Sequence, residues 1–222
     1  MRPMRILFDL DGTLLDTAPD LHGALNFCLK SAGRDTVSLD SVKHMVGQGA
    51  RVLLERGMAA TGGGASEDEI TRLFDLFLDY YSDHLSDDSV PYPGVVNALR
   101  ELKGLDCSMA ICTNKPYGLA KRIVDDFGLS EFLPVLTGGD SFDIRKPDPG
   151  HILKTLDLLD RPDLPAVMVG DSHNDIDAAK AAGIKTVVVS YGYTDTPPAD
   201  LGADILIDHF DELISAIKGI TP

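Results

Sequence analysis

Short, almost continuous apolar runs recur along the chain: Ile6-Leu7-Phe8, Met109-Ala110-Ile111-Cys112, Val135-Leu136-Thr137, Ala166-Val167-Met168-Val169, Thr186-Val187-Val188-Val189 and Ile205-Leu206-Ile207. A strand with one wet face alternates apolar and polar residues, whereas a run without alternation is expected where both faces of a parallel sheet are covered. Between the runs lie apolar residues at helical spacing, as in Leu119/Ile123/Val124/Phe127 and Ile152/Leu153/Leu156/Leu159. This rhythm of strand and helix predicts an α/β fold built on a doubly wound, Rossmann-like parallel sheet.

The rhythm breaks once. Between Leu15 and Leu85 no strand is expected, and four helical stretches take its place. The first carries the stripe Leu21, Ala24, Leu25, Cys28, Leu29 and Ala32; the fourth carries Ile70, Leu73, Phe74, Phe77, Leu78 and Tyr81. Ser66-Glu67-Asp68-Glu69 opens the fourth as a capping box. Val46-Gly47-Gln48-Gly49 and Thr61-Gly62-Gly63-Gly64 separate the inner helices, and Pro91-Tyr92-Pro93-Gly94 returns the chain to the sheet. The expected organisation is an α/β core of residues 1–14 and 86–222 with a helical bundle, residues 15–85, inserted after strand one.

Composition narrows the partners. Lys and Arg number 20 against 35 Asp and Glu, for a formal net charge of −15. Such a surface repels nucleic acids and anionic membranes. No apolar run approaches the ~20 residues that span a bilayer, and the stretch before Asp9 is too short for a signal peptide. Cys28, Cys107 and Cys112 fit no zinc spacing and read as small buried hydrophobes of a reducing compartment, so a cytoplasmic location is expected. His22, His44, His84, His151, His173 and His209 form no metal motif; His173 lies between two aspartates but reads first as a helix-start residue.

Ligands of open α/β sheets bind beyond the carboxyl ends of the strands. Four polar clusters fall at such places: Asp9-Leu10-Asp11-Gly12-Thr13, Thr113-Asn114-Lys115-Pro116, Arg145-Lys146-Pro147 and Gly170-Asp171-Ser172-His173-Asn174-Asp175. Asp9 and Asp11 flank one apolar residue, so strand geometry puts their side chains on one side. Like charges so close raise one pKa, leaving one carboxylate ionised while the other can hold a proton. A solvated strand end with an Asx turn gives the same pair, and the other clusters decide between the readings. Asp171 supplies a second hard oxygen that can hold magnesium with Asp9. Lys146, Thr113 and Asn114 supply a point charge, a hydroxyl and an amide suited to a phosphoryl group.

Taken in order, these clusters resemble the phosphatase branch of the haloacid-dehalogenase-like superfamily. Its pattern is D-x-D-x-T, a later Thr or Ser, a Lys, and G-D-S-x-x-D, matched here by Asp9/Asp11/Thr13, Thr113, Lys146 and Gly170-Asp171-Ser172 with Asp175. Phe8-Asp9-Leu10-Asp11-Gly12-Thr13-Leu14, Asp16-Thr17-Ala18-Pro19-Asp20-Leu21, Val46-Gly47-Gln48-Gly49-Ala50, Thr113-Asn114-Lys115-Pro116 and Asn174-Asp175-Ile176 look closer to its bacterial phosphoglycolate phosphatases. The resemblance implies a helical cap, and hydrolysis of a small-molecule phosphate monoester. It makes Asp9 the nucleophile and Asp11 the acid/base. Mg2+ is implied on Asp9, Asp171 and the Asp11 carbonyl, the phosphoryl group on Thr113, Asn114 and Lys146, and support from Gly12, Thr13, Ser172 and Asp175. In the cap, Gly47, Gln48 and Gly49 can offer backbone N–H groups to a carboxylate. Arg51 can join them, or simply lie on a helix surface.

Other members of the superfamily stay open as alternatives: a sugar-phosphate phosphatase, a β-phosphoglucomutase-like isomerase or a pyrophosphatase. A non-catalytic sensor of phosphate metabolites is a further one, although a binder has no need of Asp11. A monomer and a homodimer are both compatible with the sequence.

Overall fold

The computed structural model describes residues 2–220. Six strands form one parallel sheet: β1 (Arg5–Phe8), β4 (Ser108–Cys112), β5 (Val135–Thr137), β6 (Ala166–Gly170), β7 (Lys185–Val189) and β8 (Ile205–Ile207). Their order is β5-β4-β1-β6-β7-β8, so β1 lies at the centre, where the winding changes direction. In register, Phe8 of β1 faces Ile111 of β4 and Val169 of β6. The three strand ends that carry the polar clusters are therefore neighbours.

Strand period two divides the apolar side chains between two faces. Ile6, Phe8, Met109, Ile111, Val167 and Val169 join one apolar cluster. Leu7, Ala110, Cys112 and Met168 join a second, on the other face, with Ile152 and Leu156 of α7 (Pro149–Asp157) and Ala178 and Ala179 of α8 (His173–Ala181). Both faces are dry, which is why the runs do not alternate. The first face is covered by Val95 and Leu99 of α5 (Val95–Gly104), Ile123 of α6 (Tyr117–Asp126) and Leu213 and Ile217 of α9 (Leu213–Ile220).

Four helices follow the first strand: α1 (Ala18–Ser31), α2 (Leu39–Lys43), α3 (Ala50–Ala60) and α4 (Glu67–Asp83). The Ser66 hydroxyl accepts the Glu69 N–H and starts α4, and Ile70, Leu73, Phe77 and Tyr81 bury one stripe of that helix. Each such side chain contributes about 1.5–3 kcal/mol by leaving water.

The expectation of no strand after Leu15 needs one correction. A two-residue strand, β2 (Leu15–Asp16), pairs antiparallel with β3 (Val90–Pro91) where the chain leaves the sheet and returns. Two residues show no period, and the partner lies beyond all four helices, so the pairing leaves no local trace. The buried Asp20 carboxylate ties this junction by accepting the N–H groups of Asp88 and Ser89 and the Ser89 hydroxyl. Among the described residues no helix is long and apolar enough to cross a membrane.

Candidate active site

Asp9 and Asp11 leave the end of β1, Thr113 and Asn114 the end of β4, and Asp171 and Ser172 the end of β6. All six line one cavity, closed on its far side by Val46, Gly47, Gly49 and Leu53 and by Phe77 and Tyr81 of α4. The cavity holds about 610 Å³ of space between atoms, its open mouth included. One wall is thus polar and the other largely apolar.

At its floor, one oxygen from each of Asp9, Asp171 and Asp175 lies within 4.8 Å of the others. The Lys146 ammonium is 3.1 Å from Asp9 Oδ1, donates to the Cys112 carbonyl at 2.6 Å and to Asp175 Oδ1, and is almost wholly buried. It approaches Asp9 off the axis of a hydrogen bond, so Asp9 Oδ1 is buried with no hydrogen-bond partner among the described residues. Asp171 accepts the Thr13 hydroxyl on Oδ1 at 2.9 Å and the Tyr193 N–H on Oδ2 at 2.6 Å.

The electrostatics follow from burial. Asp9 is pushed up to about 7, first by burial and then by Asp175 and Asp11, with Lys146 pulling the other way. Asp171 is raised well above the usual carboxylate range by burial and by the charges of Asp175 and Asp9. Burial alone would lower Lys146, but Asp175 and Asp9 outweigh it and hold its ammonium above the ordinary lysine value. Three grouped carboxylates with one ammonium beside two of them make a site short of positive charge, and Asp9 Oδ1 accepts no hydrogen bond from the described residues. Hard oxygen donors of this kind fit a divalent cation such as Mg2+, which takes few protein carboxylates and keeps waters.

Asp175 does two other things with its oxygens. Oδ1 receives Lys146, and Oδ2 accepts the Ser172 N–H and hydroxyl and the Asp171 N–H at 2.9–3.3 Å, closing the first turn of α8. Gly12 has φ +83°, a conformation glycine adopts without strain; an added Cβ there would also lie 2.4 Å from Asp171 Oδ2.

Thr113 Oγ1 accepts the Lys115 N–H, which leaves its own O–H free to face the cavity. The Asn114 amide is turned away, donating to the carbonyls of Lys146 and, more weakly, Gly47. The Gly47 carbonyl also accepts from Asn174 at 3.1 Å, so two amides at the sheet's edge hold this loop over the cavity. Its other two expected members lie elsewhere. Gln48 lines a separate cleft with His44, Arg56 and His173. Arg51 does not line the cavity: it pairs with Glu55 and Glu67 on the exposed side of α3, and those acids hold it away from the site.

Three residues with no role assigned from sequence belong to this wall. Lys115 is buried against Asp11 and Tyr81, and Phe77 lines the same cavity. A lysine beside the Thr-Asn pair is visible in the sequence, but its carboxylate partner, Asp11, lies just past the end of β1, far away along the chain. Tyr193 is buried against Asp171. Cys112 is buried at the end of β4, and burial pushes its thiol up, which does not favour a nucleophile. His173 is half exposed at the start of α8, 4.0 Å from Asp195.

Residues 6–189 match the haloacid dehalogenase-like hydrolase family. A phosphoglycolate phosphatase of Agrobacterium fabrum is 40% identical over 211 residues, covering 95% of this chain and 91% of that one. Another, of Caulobacter vibrioides, is 43% identical over 205 residues, covering 92% and 86%. The crystal structure of a predicted phosphoglycolate phosphatase from Haemophilus somnus superposes with a TM-score of 0.90 at 32% identity, over 98% of this chain and 99% of that one. Sequence, fold and the set of strand-end residues agree, and the chain belongs to the haloacid dehalogenase-like hydrolases.

Proposed function

We propose that this protein is a Mg2+-dependent phosphate-monoester hydrolase that works through an aspartyl phosphate on Asp9, with 2-phosphoglycolate as its substrate. The observation that carries the chemistry is Asp9 Oδ1, ion-paired at 3.1 Å with the Lys146 ammonium and grouped with Asp171 at an open cavity. The substrate rests on the relatives described as phosphoglycolate phosphatases.

Asp9 Oδ1 attacks phosphorus as the bond to the leaving oxygen breaks, and Asp11 gives that oxygen a proton. In the second half, Asp11 takes a proton from water, whose oxygen bonds to phosphorus and releases Asp9. Lys146 and the Thr113 hydroxyl hold phosphoryl oxygens. The Asn114 backbone N–H, which has no partner among the described residues, is the better donor there, because its side chain is already engaged. Bound Mg2+, held by Asp9, Asp171 and the Asp11 carbonyl, supplies the positive charge that lets a carboxylate approach a phosphate. Asp175 anchors Lys146 and the Ser172 turn. Monoester hydrolysis asks for roughly 20 kcal/mol of barrier lowering, most of it from positioning and charge.

The helices of residues 15–85 act as a cap over the core of residues 1–14 and 86–222, excluding water and reading the rest of the substrate. Gly47 and Gly49 present backbone at the cavity, beside the N-terminus of α3, where a small carboxylate is favoured.

The test is hydrolysis of an aryl phosphate with and without Mg2+, followed by a panel of phosphoglycolate, sugar phosphates and pyrophosphate. Metal-dependent turnover that disappears in Asp9→Asn is expected, with phosphoglycolate among the best substrates. Turnover without metal, or retained in Asp9→Asn, overturns the chemistry. A poor rank for phosphoglycolate overturns only the substrate.

A further inference from the structure

Lys115 is 5% exposed and immediately follows the Thr113-Asn114 pair. Its ammonium lies 3.1 and 3.3 Å from the two oxygens of Asp11 and 2.6 Å from the Tyr81 hydroxyl, and sits 4.6 Å from the centre of the Tyr81 ring. Tyr81, 1% exposed, comes from α4, on the opposite wall of the cavity. Asp11 also accepts the Thr17 hydroxyl at 2.8 Å. The carboxylate is thus held by donors from two sides, and one of them is itself seated by a helix of the insert.

Stability does not account for this arrangement. A buried ion pair is commonly no better than apolar side chains of the same volume, because removing two charges from water offsets their attraction. Phe77 and Leu53 fill the adjacent wall and show that apolar packing is at hand. What the ammonium and hydroxyl add is orientation. Every donor aimed at Asp11 treats it as an acceptor, the role needed in the second half-reaction.

We propose that Lys115, seated by Tyr81, is a positioning residue that fixes the Asp11 carboxylate to receive the proton of the water that hydrolyses the Asp9 phosphoenzyme. This rests on the phosphatase reading above. In that step a water O–H bond breaks and its proton passes to an Asp11 oxygen. The water oxygen bonds to phosphorus, the bond from phosphorus to Asp9 breaks with its electron pair returning to the Asp9 carboxylate, and phosphate departs. Tyr81 thereby makes a helix of the insert part of the hydrolytic step.

The two half-reactions can be separated by choice of substrate. An aryl phosphate with a good leaving group forms the phosphoenzyme without needing a proton, so only its second half depends on how Asp11 is held. The test is steady-state kinetics with 4-nitrophenyl phosphate in Mg2+, together with acid-quenched intact mass to measure the phosphorylated fraction. In Lys115→Met, kcat is expected to fall by roughly tenfold to a hundredfold, less than the 10²–10⁴ of a lost general base. KM falls alongside it and kcat/KM stays within about threefold, since the second step becomes limiting. Phosphoenzyme accumulates above the wild-type level. Tyr81→Phe removes one oxygen, keeps the ring packed, and shows the same pattern at roughly threefold to tenfold in kcat; if Lys115→Met fails to fold, this variant decides alone. A parallel loss of kcat and kcat/KM without accumulation of phosphoenzyme overturns the proposal, and so does unchanged kinetics in Tyr81→Phe. A wild-type enzyme that does not turn over the aryl phosphate in Mg2+ overturns instead the phosphatase reading beneath it.

Discussion

Tyr193 touches both ends of the site's supporting frame: its backbone N–H donates to Asp171 Oδ2 at 2.6 Å, and its hydroxyl accepts the Ala18 N–H at 2.8 Å while donating to Asp16. One residue therefore joins a candidate metal ligand to the junction where the chain leaves the sheet for the helices. Tyr193→Phe leaves the backbone bond intact but strands the buried Ala18 N–H and an Asp16 oxygen. The expected loss is about 1–3 kcal/mol, or a few °C in Tm for a chain of this size. The Mg2+ requirement stays near wild type, because Asp171 keeps its partner. Thermal melts and a metal titration check the two halves; a shifted metal requirement with unchanged Tm reverses the assignment.

Gly192 packs against the same carboxylate. An added Cβ would fall 2.1 Å from Asp171 Cβ and 2.6 Å from Oδ2, closer than atoms approach, and neither neighbour is the free end of a flexible chain. Gly192→Ala must move Asp171. The expected result is a roughly tenfold to hundredfold rise in the Mg2+ concentration for half-maximal activity, the scale seen when a ligand's supporting contact is lost. Gly104→Ala, with no atom within 4 Å of its added Cβ, serves as the control. Equal metal titrations for both variants would remove Asp171 from the metal's shell.

How much of this was visible in the sequence depended on the range of the interaction. The strand β6 is buried along its full length, so its run Ala166-Val167-Met168-Val169 stood out, and the polar cluster after it marked the site. Asp9, Thr113 and Asp171 stood out for the same reason, each following an apolar run at a strand end, whereas the sheet order that makes those ends neighbours is seen only in the structure. Contacts across the cavity were not legible. The pairing of Lys115 with Tyr81 joins a loop to a helix through tertiary packing alone, and nothing periodic announces it. Tyr81 read simply as the last residue of an apolar stripe, which it also is. Arg51 illustrates the opposite case, a suitable residue type near a suitable loop whose helix turns it toward Glu55 and Glu67.

Asp9 predicts a trade of stability against function. Burial holds its carboxyl at about 7, against 3.8 in the unfolded chain. Between those values the folded, metal-free protein binds more protons than the unfolded chain, so its stability falls as pH rises through this window. Asp9→Asn removes the buried charge. In chelator at pH 8 the variant is expected to be more stable than wild type by on the order of 1–3 kcal/mol. Adding Mg2+ is expected to stabilise wild type far more than the variant, which lacks the ligand proposed at Asp9. Urea denaturation with and without metal measures both. A less stable Asp9→Asn protein in chelator would mean that the ion pair with Lys146 outweighs the cost of burying this carboxylate.

His151 acts in the opposite direction, and it lies outside the chemistry. Its ring is fully buried in α7 with Nε2 3.1 Å from Thr137 Oγ1, and that hydroxyl is 2.7 Å from Thr155 Oγ1, which donates to the His151 carbonyl. With the Thr155 hydrogen on the carbonyl, the Thr137 hydrogen goes to Thr155 or to the Ile111 carbonyl at 3.4 Å, and with either partner Thr137 accepts from His151. Nε2 therefore carries the hydrogen and Nδ1 is bare, with no partner among the described residues. Protonating Nδ1 would bury a charged N–H with nothing to receive it, and burial with the nearby Lys146 charge lowers the group from 6.5 to about 4. Between pH 4 and 6.5 the unfolded chain holds the extra proton, so this residue makes stability rise with pH across that window, by on the order of 3 kcal/mol in total. His151→Phe keeps an apolar ring and loses the titration. Every other group contributes equally to both proteins, so the stability of wild type minus that of the variant, from urea denaturation in chelator, is expected to climb from pH 4 to 6.5 and level off above. A difference that stays flat with pH would mean that His151 already takes its proton in the folded state.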